Sequence, residues 1–94
     1  MEPREEFREK IGAQIEKLDA EIDLLKAKAR KAKEEARLEA VGQIDQVDQK
    51  REELGEKVEE FKNSGQDAWQ ELKGGVNEAV RELKNSLDQV RSRF

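Results

Sequence analysis

The fold of this chain is decided by residues 7–32, which read FREKIGAQIEKLDAEIDLLKAKARKA. Small or apolar residues recur here about every 3.6 positions, which is the period of an α-helix and not of a β-strand. Most residues between them are charged or amidated. The stripe consists of Phe7, Ile11, Ile15, Leu18, Ile22, Leu25, Ala29 and Ala32. This segment therefore predicts one face of a long amphipathic helix.

The stripe continues along the chain as far as Phe94. Steps of four residues from Ala32 to Ile44 interrupt the heptads and form a stutter, which relaxes a left-handed supercoil without ending a helix. Arg51 then occupies a core position, where a cation either sets the register or extends its charged head past the seam. Because Pro3 suits a first helical turn, we expect one continuous helix over about residues 3–62.

Residues 63–66 predict a turn, since Gly65 is suited to the left-handed conformation that ends a helix and Asp67 to capping the next one. A second helix is then expected over about residues 67–93. Trp69 is interpreted as a hydrophobic lock between the helices, with an anchor for lipid or a partner as the alternative. The residues predicted to pack this hairpin are Leu54, Val58, Phe61, Trp69, Leu72 and Val76.

The two predicted helices differ in length, roughly 90 Å against roughly 40 Å at 1.5 Å per residue. The shorter helix covers only about residues 36–61, so the stripe from Phe7 to Ala32 lacks an intramolecular partner. We therefore predict self-association through that stripe, as a homo-oligomer (dimer or tetramer). Acidic residues dominate the start of the chain and basic residues dominate positions 26–37, which favours antiparallel pairing.

The predicted fold class is all-α: a long helix and a shorter antiparallel helix form a helical hairpin, and hairpins assemble into an elongated coiled-coil bundle. The whole chain, residues 1–94, is expected to be a single domain. Three arrangements stay open. The turn at Gly65 closes within one chain, or it exchanges helices between chains, or it is absent and the chain forms one uninterrupted helix of about 135 Å.

The composition argues against a catalytic or metal-binding site. Of the 94 residues 34% are hydrophobic and 45% are charged, and histidine, cysteine and tyrosine are absent. The usual general base, the thiolate nucleophile and the commonest zinc ligands are therefore missing, so we expect no enzyme, no metal site and no cofactor. The net charge of -4 gives no overall attraction to nucleic acid or anionic lipid.

Two segments, residues 18–29 (LDAEIDLLKAKA) and residues 64–76 (SGQDAWQELKGGV), carry a resemblance. They resemble a set of small, uncharacterised bacterial coiled-coil proteins, in which an acidic-Ile-acidic seam precedes a Gly-x-Asp-Ala-Trp-x-x-Leu-Lys segment. The resemblance implies a bacterial helical protein and brings no activity or site with it.

The function predicted from these observations is that of a structural or interaction protein, which associates with itself and with a further, unidentified protein partner. The alternative is a peripheral protein that binds lipid through amphipathic helices, although the basic block at residues 26–37 lacks interleaved aromatic residues. Because no run of residues is long and apolar enough to span a membrane, we expect a cytoplasmic protein.

Overall fold

The computed structural model describes residues 2–93 and confirms that the chain is all-α. Helix α1 spans Pro3–Lys31, α2 spans Glu34–Asn63 and α3 spans Trp69–Arg91. Among residues 2–93 there is no strand. Each helix packs against the other two, and together they form a three-helix bundle with dimensions of 50 × 20 × 17 Å. Phe94, the last position of the predicted stripe, lies outside the described residues.

The prediction of one continuous helix over residues 3–62 is wrong at Ala32 and Lys33. Both residues adopt extended backbone angles, with φ/ψ of -72/158 and -62/154, and the chain reverses direction there. The charges on either side favour a helix end followed by a helix start. Basic side chains occupy the last turn of α1 and acidic side chains the first turn of α2, where each complements the helix dipole.

Burial explains why the helix breaks at a sequence that contains no glycine or proline. The reversal covers five large apolar side chains of α1, and each contributes about 1.5–3 kcal/mol when it leaves water. A continuous helix would instead keep about four more backbone hydrogen bonds, whose net contribution is about 0.5–1.5 kcal/mol each. The side chains covered in this way are Phe7, Ile11, Leu18, Ile22 and Leu25.

The second turn lies close to the predicted position but has a different geometry. Helix α2 ends at Asn63 and α3 begins at Trp69, two residues after the predicted start. Within residues 2–93 no glycine has a positive φ, so the predicted left-handed Gly65 is wrong. Asp67 does not cap α3, because the N-cap of that helix is Ala68 and makes no side-chain hydrogen bond. Instead, the Ser64 hydroxyl donates a hydrogen bond of 2.7 Å to the carbonyl of Phe61.

Proline at position 33 tests the reversal. Lys33 has the φ of a proline, Ala32 has the extended conformation that precedes one, and the Lys33 N–H donates no backbone hydrogen bond within residues 2–93. We expect Lys33→Pro to leave the free energy of unfolding unchanged or to raise it by up to about 1 kcal/mol. In a continuous helix the same change would destabilise the protein by about 3 kcal/mol.

Urea denaturation followed by circular dichroism measures this difference. The matched control is Gln46→Pro, at an exposed position in the interior of α2, which should cost about 3 kcal/mol or more. If both prolines destabilise the protein equally, the reversal at residues 32–33 is refuted.

Candidate interaction surface

The stripe predicted for self-association is covered within the chain. Leu18 is 3% exposed, and the large apolar members of the stripe belong to the same core cluster as residues of α2 and α3. Ile15 packs against this cluster and is partly buried, as is Ala32 at the reversal. The inference that the stripe has no intramolecular partner is therefore wrong. The buried members are Phe7, Ile11, Leu18, Ile22, Leu25 and Ala29.

The residues predicted to pack the hairpin also belong to this core. Leu54, Val58, Phe61 and Val76 are buried, and Trp69 and Leu72 pack against them while partly exposed. They lie on α2 and α3, so the predicted hairpin partners share one core with the stripe of α1. All members of both predicted sets thus lie in or against the bundle interior, apart from Ala32 at the reversal.

Aromatic rings close the end of the bundle at which α1 begins. The rings of Phe7 and Phe61 meet edge to face, with 5.1 Å between their centroids. The Lys73 ammonium lies 5.3 Å from the centroid of Phe7 and 5.9 Å from that of Trp69. At these distances a cation is attracted to the face of an aromatic ring. Trp69 therefore lies beside the junction of all three helices.

Arg51 joins α1 to α2. Its Nε donates a hydrogen bond of 2.6 Å to Asp19 Oδ1, and its Nη2 donates one of 3.2 Å to Oδ2, so the pair is bidentate. Further along the same two helices, Lys26 Nζ lies 2.8 Å from Asp48 Oδ1. In these two ion pairs, the later residue of α1 contacts the earlier residue of α2, so the two helices run antiparallel. Both interpretations of Arg51 fit this geometry, because its charged head extends past the seam and there pairs with Asp19.

Two further ion pairs attach α3 to the other helices. Lys50 Nζ on α2 lies 3.3 Å from Glu82 Oε2, and Arg91 Nη2 lies 3.1 Å from Glu21 Oε2 on α1. The hydrogen bond to the Glu82 carboxylate, with a further contribution from Glu53, raises the pKa of Lys50 above its ordinary value.

The most exposed large apolar side chains lie where α1 meets α2. Leu24 is 57% exposed, Leu38 is 69% exposed and Val41 is 50% exposed. Leu38 and Val41 are three residues apart and so share one face of α2. We call residues 24–41 the α1–α2 end. An open cavity of about 220 Å³ lies in this region, lined by Lys26, Ala29, Arg30, Arg37, Val41 and Ile44.

The α1–α2 end is also the most basic part of the chain. It carries six basic and three acidic side chains, although the whole chain has a net charge of -4. The basic residues are Lys26, Lys28, Arg30, Lys31, Lys33 and Arg37, and the acidic residues are Glu34, Glu35 and Glu39. Apolar side chains beside a local excess of positive charge give this end the chemistry of a binding surface.

A larger groove, of about 390 Å³, runs between α1 and α2 nearer the aromatic end. It passes beside Gly12 and Gly55, and a methyl group added at Gly12 would meet nothing within 4 Å. Its apolar walls include Ile11 and Val58, which belong to the core, and Arg51 at its edge is held by Asp19. The groove therefore results from missing side chains, and its charged lining residues are Arg8, Arg51, Glu59 and Lys62.

Among residues 2–93, no group of three or more acidic side chains lies close enough together to hold a metal ion. The helices of this part of the chain include none that is both long and apolar enough to cross a membrane.

No family model matches the chain, and neither a curated protein nor a solved structure is significantly similar to it. The resemblance to bacterial coiled-coil proteins therefore stays a prediction.

Sequence reasoning missed the exposed residues of the α1–α2 end because it followed the stripe. Leu24, Leu38 and Val41 all lie off that stripe. The available signal was that each is a large apolar residue at a position which the helical period assigns to solvent.

A double-mutant cycle tests the register pair. We expect Asp19→Ala and Arg51→Ala to be coupled by about 1 kcal/mol in the free energy of unfolding, at the upper end for partly exposed pairs because the contact is bidentate. The matched control is the pair Arg93 and Glu39 near the chain terminus, which we expect to couple more weakly. Equal coupling in the two cycles, measured by urea denaturation, would mean that Arg51 does not set the register.

Proposed function

We propose that this chain is a structural or interaction protein, which associates with copies of itself through its helices and performs no chemistry of its own. The observation that carries the proposal is the exposure of Leu24, Leu38 and Val41 at the α1–α2 end. The stripe of α1, which first suggested association, is covered in the single chain, so its exposure no longer supports the proposal. The expected product is an antiparallel dimer, or a tetramer, in the form of an elongated helical bundle.

Charge supports an antiparallel arrangement at this end. Lys31 and Lys33 precede Glu34 and Glu35 directly in the sequence. When residues 31–35 of two copies meet antiparallel, the lysines of one copy lie opposite the glutamates of the other. A parallel arrangement would instead place like charges together, which costs free energy.

Association should depend on the exposed apolar side chains. We expect the sedimentation coefficient of the protein to rise with concentration between about 1 µM and 1 mM, the range of weak to moderate affinities. Replacement of both apolar residues on the α2 face, as Leu38→Gln with Val41→Gln, should lower the association constant by about tenfold or more, since buried apolar area is lost.

The control for this variant is Ala13→Gln with Ala20→Gln, which adds two glutamines at exposed positions of α1. It should associate like the unchanged protein. A folded monomer at every concentration would reject self-association, and equal weakening in both variants would reject the α1–α2 end as its site.

An anionic lipid surface is the second candidate partner, and a specific observation favours it. Exposed apolar side chains share residues 24–41 with six basic residues, and each basic residue near an anionic membrane contributes about 1 kcal/mol of attraction. The location of these groups at one end of an elongated bundle would allow that end to touch a bilayer while the other end stays in water.

Cosedimentation with phosphatidylglycerol vesicles tests this candidate. We expect Lys31→Glu with Lys33→Glu to reduce binding by about tenfold or more, while Lys10→Glu with Lys84→Glu, an equal change in net charge elsewhere, should reduce it less. Trp69 lies near the opposite end of the bundle, so its fluorescence should not change if the α1–α2 end alone docks. Equal binding to phosphatidylcholine vesicles, or equal loss in both variants, would reject the candidate.

A further inference from the structure

We propose that two copies of this chain associate by exchanging α1. In the exchanged form, Ala32 and Lys33 become helical, so that α1 and α2 join into one helix over residues 3–63. Each α1 then packs on α2 and α3 of the other copy. This inference rests on the proposed self-association and names its partner, a second copy, and its mechanism.

The first observation is the composition of the reversal. It consists of two residues, both good helix formers, and both have ordinary backbone angles. No glycine or proline occurs in residues 13–41. Nothing in the local sequence therefore opposes a helix through the reversal.

The second observation is that the apolar stripe runs through the reversal without changing face. Ala29 and Ala40 are buried in the bundle, and Ala32 and Ala36 between them are partly buried. These residues follow one another at steps of three or four, the spacing of one face of a helix. A straightened segment would therefore keep the stripes of α1 and α2 on a single continuous face.

The third observation is that every contact which holds α1 in place is available on a second copy. Four of the pairs that attach α1 to the other two helices illustrate this, and none of them depends on the two residues of the reversal. In exchange, one molecule supplies the α1 residue and the other its partner, so these contacts are kept. The pairs are Phe7 with Phe61, Asp19 with Arg51, Glu21 with Arg91 and Lys26 with Asp48.

The fourth observation is the group of exposed apolar side chains around the reversal. Two straightened helices that keep these pairs would cross antiparallel near residues 34–37, where Ala36 has a small side chain. The exposed side chains of Leu24, Leu38 and Val41 lie on either side of this crossing. They are the exposed large apolar side chains among residues 2–93, and their burial between two copies would add to the stability of the dimer.

Isotope mixing tests the exchange directly. Protein labelled with ¹⁴N and protein labelled with ¹⁵N are unfolded, mixed in equal amounts and refolded at about 1 mM. Dimer and monomer are then separated and treated with a carbodiimide, which joins a lysine to a carboxylate in contact. Lys26 and Asp48, with 2.8 Å between their charged atoms, form the reporter pair across α1 and α2.

We expect about half of the Lys26–Asp48 cross-links in the dimer to join a ¹⁴N peptide to a ¹⁵N peptide, because each α1 packs on the other molecule. The monomer should contain none. Lys50 and Glu82, at 3.3 Å, provide the internal control, since both lie on helices that stay together and should join peptides of one isotope only.

Two variants at position 33 complete the experiment. Lys33→Pro suits the closed chain but interrupts the joined helix in both copies, so it should lower the dimerisation constant by at least about a hundredfold. Lys33→Ala removes the same charge, keeps helix propensity and should dimerise at least as well as the unchanged protein.

The outcomes separate the exchange from self-association itself. A dimer in which every Lys26–Asp48 cross-link joins two peptides of the same isotope would overturn the exchange and keep the proposed function. A dimer that Lys33→Pro leaves intact would do the same. The absence of any dimer at 1 mM would overturn both. Mixed cross-links together with the proline effect would establish the exchange.

Discussion

The structure depends on burial of the apolar stripe of α1. Five large side chains lie along it, and no arrangement that leaves them in water is stable, since each contributes about 1.5–3 kcal/mol on burial. The chain covers them by reversing at Ala32 and Lys33, and the number of helices, the bundle shape and the position of every exposed residue follow from that reversal. The α1–α2 end exists only because the chain turns there.

Polar contacts select one arrangement among those that burial permits. An apolar stripe can slide by a helical turn against its neighbours at modest cost, but the bidentate contact of Arg51 with Asp19 and the pair of Lys26 with Asp48 are satisfied at one offset only. At the other end, Phe7 against Phe61 adds a contact of defined geometry. Hydrophobic burial thus supplies the stability of α1 in the bundle, and the partly exposed ion pairs favour one position of it.

The sequence predicts the elements of this fold better than their arrangement. Helical periodicity identifies the all-α class, the buried residues of each helix and a turn close to Gly65. It does not reveal the reversal at residues 32–33, because alanine and lysine are both good helix formers and local propensity predicts that the helix continues there. Leu38 and Val41 become visible as a surface only when the packing of α2 is known, since local spacing says nothing about which neighbours are present.

The wrong prediction of a continuous helix and the observed reversal are two solutions to the same problem. A helix through residues 3–63 leaves the α1 stripe to be covered by another molecule, and a reversed chain covers it alone, with the same side chains in contact. At low concentration the closed chain is favoured, because its α1 is already attached to its own partner helices. In the exchange that we propose, that advantage shrinks at high concentration, and the backbone at two residues together with the exposed side chains around them would decide the balance. On this proposal, the exposed α1–α2 end is where a sequence with one continuous stripe leaves open the choice between folding and assembly.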